Sequence, residues 1–266
     1  MASRVVGIIP ARYHSTRLPG KLLRPILGKT LLQWTYENAK KALSLDELFV
    51  ATYEEVISHH VQEFGGRYIY THANCLNGTE CVAAAIKAEP DLLNADVIIN
   101  IQGDEPCLSK ETIDCVVKVL LENPEASMAT AVTKISTKEE ALSFSIVKCV
   151  MDQKGRALYF SRQLLPSGKM QGWKEDFPYF RHIGIYAYRP SFLQELVQLP
   201  ATPLQLQEDL EQLKVLEYGY QIQVAQVATA TIGVDVPEDI KKVEQWLCKQ
   251  NTFLLQEGSA PHWEKD

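Results

Sequence analysis

The run Val5-Val6-Gly7-Ile8-Ile9, closed by Pro10, offers no polar face to solvent. Such a strand must be covered on both sides, as a parallel strand is between two helical layers. The residues that follow repeat the theme. A helical pattern covers Thr30 to Ala42, and Leu48-Phe49-Val50-Ala51 forms a second buried run. Glu54 to Phe64 predicts another helix, ended by Gly65-Gly66, before a strand beginning at Tyr68-Ile69-Tyr70. Gly78 to Ala88 predicts a helix, Val97 to Ile101 a strand, and Lys110 to Glu122 an amphipathic helix. This alternation predicts an α/β fold with a mostly parallel central sheet, right-handed crossovers and helices on both faces.

After about Ser127 the alternation changes. Met128 to Thr133, Val147 to Met151, Ala157 to Phe160 and His182 to Tyr188 read as strands with few helices between them. Gly168 to Pro178 reads as a polar loop. This stretch predicts a smaller mixed or antiparallel extension, a lid or a dimer surface. A helix over Leu204 to Leu216 and a strand over Ile222 to Val227 restore the α/β pattern. The last helix is expected from Pro237 to about Lys249, with Glu238 and Asp239 beside its positive end. We read the 266 residues as a single domain in three parts, about 1–127, 128–203 and 204–250.

Composition excludes several classes. The net charge of −6 gives no global basic field for nucleic acid, so bound anions must be held by local groups. No apolar stretch approaches the ~18 residues of a membrane span. Cys75, Cys81, Cys107, Cys115, Cys149 and Cys248 are scattered, with no CxxC pair and no zinc spacing. Reduced thiols and a cytoplasmic location are the expectation.

Open α/β sheets place ligands at the carboxyl ends of their strands. After the first strand, Pro10-Ala11-Arg12-Tyr13-His14-Ser15-Thr16-Arg17-Leu18-Pro19-Gly20-Lys21 gathers Arg12, Arg17 and Lys21 among small residues. Such a loop can wrap a polyphosphate, although it lacks the Walker A spacing. Gln102-Gly103-Asp104-Glu105-Pro106 follows a strongly apolar strand, and Gly103 would let a ligand approach the backbone. Asp104 suits Mg²⁺ or, equally, a capped turn. Asp235, in Gly233-Val234-Asp235-Val236-Pro237, suits a second carboxylate on the same ion or the N-cap of the last helix. Asn77-Gly78-Thr79-Glu80 opens a helix, either as a ligand-reading turn or as a plain cap. In the second half, Ser161-Arg162, Arg181-His182, Tyr186 and Glu208-Asp209-Leu210-Glu211-Gln212 suit a carboxylated, hydroxyl-rich substrate. Taken singly, His182 reads first as a satisfied core histidine and Glu211 as a solvated helix face.

In this order, the set resembles the 3-deoxy-manno-octulosonate cytidylyltransferases, the CMP-Kdo synthetases, from Val5 to about Trp246. The resemblance also rests on Ala157-Leu158-Tyr159-Phe160-Ser161-Arg162 and His182-Ile183-Gly184-Ile185-Tyr186. It implies a Rossmann-like nucleotidyltransferase fold, a homodimer, and synthesis of CMP-Kdo and pyrophosphate from CTP and Kdo for lipopolysaccharide. It implies catalytic roles for Lys21, Arg12 and Asp104, and Mg²⁺ on Asp104 and Asp235. Nucleotide contacts would come from Ala11, Arg12, Lys21, Asn77, Gly78, Thr79 and Gln102. The sugar would meet Gln102, Arg162, His182, Tyr186, Glu211 and Gln212. The chain departs from the family pattern at Cys81, where Arg is common, and at Tyr53-Glu54, where many members carry paired Asp. Rival readings are the same chemistry on sialic acid or an 8-amino sugar, and a CTP-binding homologue without activity.

Overall fold

A computed structural model describes residues 3–15, 18–72, 75, 77–168 and 172–257, with side chains as far as 249. Thr16 and Arg17 of the first loop lie outside the described residues. Strand β1 (Val5–Pro10) leads through a hairpin, β2 (Pro25–Ile26) and β3 (Lys29–Thr30), into helix α1 (Leu31–Ala39). Then come β4 (Glu47–Thr52), α2 (Glu55–Glu63), β5 (Tyr68–Tyr70), α3 (Gly78–Ala88), β6 (Val97–Ile101) and α4 (Lys110–Glu122). The second half contains β7 (Met128–Lys134), α5 (Lys138–Leu142), β8 (Lys148–Met151), β9 (Ala157–Ser161) and β10 (Phe180–Tyr188). Helices α6 (Pro190–Leu196), α7 (Pro203–Glu208) and α8 (Glu211–Glu217) precede β11 (Ile222–Val227) and α9 (Pro237–Glu257).

The main path of the sheet runs β11-β7-β10-β6-β1-β4-β5. β1 pairs in parallel with β4 and β6, as the all-apolar run required. Side chains alternate along a strand, so β1 feeds two cores. Val5 and Ile9 pack with α1, α2, α4 and α9, whereas Val6 and Ile8 pack with α3, α6 and α8. β10 is antiparallel to both β6 and β7 and joins the halves into one sheet. The expected small extension is the β8–β9 pair, which attaches to β10 at Arg181 and Lys148.

Two expectations are corrected. The helix predicted over Leu204 to Leu216 is two helices, because Asp209 adopts φ 54 and ends α7. Aspartate tolerates the left-handed region better than most residues, and no Gly or Pro advertises the break. The last helix also runs beyond Lys249, to Glu257.

A bulge in β10 aims part of the site. Register with β7 shifts between Ile183 and Tyr186. There the buried Thr130 hydroxyl donates to the Ile185 carbonyl at 2.8 Å and meets His182 Nε2 at 2.8 Å. One hydroxyl proton cannot serve both, so with Thr130 donating to Ile185 the His182 ring carries a proton on Nε2. Thr130→Val is expected to cost about 1–3 kcal/mol, because two buried polar groups lose their partner. Urea denaturation with an unchanged m-value measures this; a loss under about 0.5 kcal/mol contradicts it.

Candidate active site

The loop after β1 is held by its own backbone. Ala11 N–H bonds the Ala51 carbonyl, and Tyr13 N–H donates to the Glu54 carboxylate. Gly20, at φ 65, turns the chain so that Lys21 enters a short helical turn with its side chain buried. The Lys21 ammonium donates to Asp104 Oδ2 at 2.5 Å and to the Val234 carbonyl at 2.8 Å, with Asp235 Oδ1 3.7 Å away. The two carboxylates therefore meet at one cationic nitrogen.

A second set of contacts fixes that meeting. Val234 N–H bonds the Asp104 carbonyl at 2.9 Å, and Thr231 donates to Glu105 Oε2 at 2.6 Å. Gly233 permits this approach, since a Cβ there would lie 2.7 Å from Glu105 Oε1. Asp239 Oδ2 accepts from the N–H groups of Asp235 and Val236, so Asp239 caps α9. Asp235 is thereby available to face Lys21. Gly103 lines the cleft beside Asp104 and also serves packing: a Cβ there would meet the Pro10 carbonyl at 3.1 Å and Leu22 at 3.3 Å.

Two adjoining clefts open at these strand ends. The first, about 790 Å³, is lined by Ala11, Arg12, Lys21, Asn77, Gly78, Gln102 and Asp104. Six of the seven residues expected at the nucleotide are among these. The seventh, Thr79, lies in the second cleft. Asn77 also caps α3, its side chain accepting from Glu80 N–H at 2.9 Å, so the cap reading holds alongside the cleft. Cys81 lines the same wall. Burial pushes its thiol pKa up strongly, and a hydrogen bond to Cys75 adds to the shift. Burial likewise raises the neighbouring Tyr53 phenol.

The second cleft, about 580 Å³, shares Gly78 and Gln102 with the first and adds Tyr186, Glu211 and Gln212. Thr79 donates to Glu211 Oε2 at 2.8 Å, and Tyr186 donates to Gln212 Oε1 at 3.3 Å. Burial raises the Glu211 and Tyr186 pKa values. Gln212 Nε2 is buried with no protein partner, which leaves an amide donor to be satisfied. Asn100 Nδ2 is in the same condition, while its Oδ1 accepts from Gln102 Nε2 at 3.2 Å. Asn100 escaped the sequence reading, although a lone amide inside Val97 to Ile101 was a readable exception.

His182 and Arg162 do not line either cleft. His182 is half-buried, its ring 5.1 Å from Phe160 and 5.5 Å from Tyr186. Desolvation lowers its pKa to about 3, which favours the neutral ring. The Arg162 guanidinium donates to the Phe144 carbonyl at 3.3 Å.

The donor set fits a hard divalent cation. Asp104 and Asp235 supply carboxylate oxygens at a point that already holds a positive charge, next to a cleft sized for a nucleotide. Mg²⁺ is commonly held by one or two carboxylates plus substrate phosphates. Among the described residues no group of three or more His, Cys, Asp or Glu side chains forms a complete cage.

The fold and the site define the nucleotidyltransferase class of α/β proteins. A family profile described as cytidylyltransferase matches residues 6–223. A Protochlamydia amoebophila protein named 3-deoxy-manno-octulosonate cytidylyltransferase is 56% identical, over 96% of this chain and 98% of that one. An Arabidopsis thaliana protein named as the mitochondrial form is 48% identical, over 94% of this chain and 85% of that one. The solved structure of CMP:2-keto-3-deoxy-manno-octonic acid synthetase complexed with CTP superposes at TM-score 0.86 with 36% identity. It covers 93% of this chain and 100% of that one. The chain belongs to the cytidylyltransferase family, among the 3-deoxy-manno-octulosonate cytidylyltransferases. No helix of the described residues is long and apolar enough to cross a membrane.

Glu105 generates a pH prediction. Burial pushes its pKa from an ordinary 4.5 up to about 7; the Thr231 hydrogen bond opposes the shift and the Asp104 charge adds to it. A carboxyl whose folded pKa exceeds its unfolded value favours the fold while protonated, and that advantage is lost as pH rises from 4.5 through about 7. Glu105→Gln cannot ionise and keeps an acceptor for Thr231. Between about pH 5 and pH 8, denaturation of the ligand-free wild type is expected to show a stability loss that the variant lacks. Parallel pH profiles would contradict this.

Proposed function

We propose that this chain transfers the cytidylyl group of CTP to Kdo, forming CMP-Kdo and pyrophosphate and activating the sugar for lipopolysaccharide assembly. The observation that carries the reading is the convergence of Asp104 and Asp235 on Lys21, at the mouth of a cleft that adjoins a second, amide-rich one. The family relatives support the substrates, by their names and by the CTP complex.

CTP occupies the first cleft in this reading, with its triphosphate against Arg12, Lys21 and the backbone around Ala11. Asp104 and Asp235 would hold Mg²⁺, which offsets phosphate charge and orients the reacting oxygens. Lys21 is buried and anchored by the Val234 carbonyl, so its ammonium is preorganised to meet charge developing on the pyrophosphate. Kdo occupies the second cleft, where Gln102, Tyr186, Glu211 and Gln212 engage its hydroxyls. Gln212 Nε2 gains the acceptor it lacks. Arg162 swings from the Phe144 carbonyl to grip the sugar carboxylate.

Gly78 and Gln102 border both clefts, so in this reading the anomeric hydroxyl and the α-phosphorus meet across that shared wall. Attack there forms the phosphodiester and expels pyrophosphate, with positioning supplying much of the rate. Phe144 and Leu158 are largely exposed apolar side chains around the β8–β9 extension, the surface we assign to a homodimer. Six cysteines, none of them in a disulfide among the described residues, accord with a cytoplasmic enzyme.

Pyrophosphate release from CTP and Kdo with added Mg²⁺ tests the function. Asp104→Asn is expected to lower turnover ~100-fold or more, the factor that corresponds to losing several kcal/mol of charge stabilisation. Near-wild-type turnover in that variant, folded and supplied with Mg²⁺, contradicts the assignment.

A further inference from the structure

The peptide of Arg162 is gripped from both sides by charged side chains outside both clefts. On one side stands Glu208, at the end of α7. Its two oxygens accept from the Ser161 hydroxyl at 3.0 and 3.1 Å, from Arg162 N–H at 3.3 Å and from the Tyr159 hydroxyl at 3.5 Å. On the other side, the Lys148 ammonium donates to the Arg162 carbonyl at 2.6 Å. Lys148 is fully buried and also holds the Ser143 and Ile146 carbonyls at 2.7 and 2.8 Å. No carboxylate of the described residues forms an ion pair with it. Burial lowers its pKa, as expected for an ammonium withdrawn from water. A buried ammonium solvated only by carbonyls is costly, so its retention calls for a use.

The next residue after Glu208 supplies that use. Asp209, in the left-handed region, ends α7 and redirects the chain so that Asp209, Leu210, Glu211 and Gln212 line the second cleft. Glu208 is therefore bonded to the end of β9 and covalently joined to the elbow that carries the cleft wall. Thr79 fixes the far side of that elbow through Glu211.

We infer that Glu208 and Lys148 are positioning residues of the acid-sugar subsite: together they clamp the Arg162 peptide and set the α7–α8 elbow in register with it. Neither touches the sugar. The clamp fixes the spacing between the Arg162 guanidinium, which takes the carboxylate, and Glu211 and Gln212, which take hydroxyls. This rests on the sugar assignment of the second cleft proposed above.

The test is steady-state kinetics with CTP and Kdo on wild type, Arg162→Ala, Glu208→Ala, Glu208→Gln and Lys148→Met. Each is checked for folding by thermal unfolding and CTP binding. Glu208→Ala is expected to raise the Kdo KM about tenfold or more while the CTP KM stays within about twofold. Glu208→Gln, which keeps an acceptor oxygen, recovers most of the loss, and folded Lys148→Met shifts the Kdo KM in the same direction. Glu208→Ala combined with Arg162→Ala adds little to either alone, as coupled residues of one network do.

An unchanged Kdo KM in Glu208→Ala, with Arg162→Ala raising it, overturns the clamp and leaves the sugar reading standing. An unchanged Kdo KM in Arg162→Ala overturns the carboxylate assignment itself. Should Lys148→Met not fold, the Glu208 pair decides the question. Equal rises in the Kdo and CTP KM values of Glu208→Ala would mark a general loosening of the fold and also overturn the clamp.

Discussion

One ammonium ties the ends of this chain together. Lys21 lies 83 residues from Asp104 and 213 from Val234, yet its Nζ bonds both. Two acidic side chains brought close repel each other unless a cation sits between them. Lys21 supplies that charge from within the protein, so the carboxylate pair exists as a formed site without a ligand. The supporting contacts are hydrogen bonds: Thr231 to Glu105, Val234 to Asp104, and Asp239 on the two amides just before α9. Two of the three hold backbone groups, and together they leave the Asp235 carboxylate turned to the site.

The sheet explains why these groups can meet. β1 and β6 are parallel neighbours, so the loops after them emerge at the same edge. β10 enters antiparallel beside β6 and carries Tyr186 to the position facing Asn100. The nucleotide half and the sugar half thus share a wall at Gln102, two residues past Asn100. A chain with charge −6 has no overall field to attract anions, so an anionic substrate depends on local groups such as Arg12 and Lys21 in the first cleft.

Much of this was legible in the sequence. The apolar runs at Val5–Ile9 and Val97–Ile101 fixed the parallel centre, since a strand buried on both faces has few other homes. Asp235 stands just before α9, well past the end of β11 at Val227, whereas Asp104 was readable because a strand-end carboxylate in an α/β fold has a physical use. The αL elbow at Asp209 was not, because neither Gly nor Pro marks it. The roles of Lys148 and Glu208 were also hidden. Both depend on which backbone groups lie opposite them, and a sequence of charged residues in β-rich surroundings does not encode that partner. Gly103 was read as room for a ligand; it lines the first cleft, and its missing Cβ also makes room for Pro10 and Leu22. Cys81 shows the converse: a departure visible in sequence becomes, in the fold, a buried thiol bonded to Cys75 in the cleft wall.

The account stands on Asp104 and Asp235 sharing one divalent ion with the nucleotide. A crystal structure with CTP and Mn²⁺, read by anomalous scattering, examines this directly. The account predicts one ion with oxygens of both carboxylates and a CTP phosphate in its shell, and Lys21 drawn from Asp104 toward the phosphates. An ion on the triphosphate that neither aspartate touches, with the Lys21–Asp104 pair intact, would contradict it.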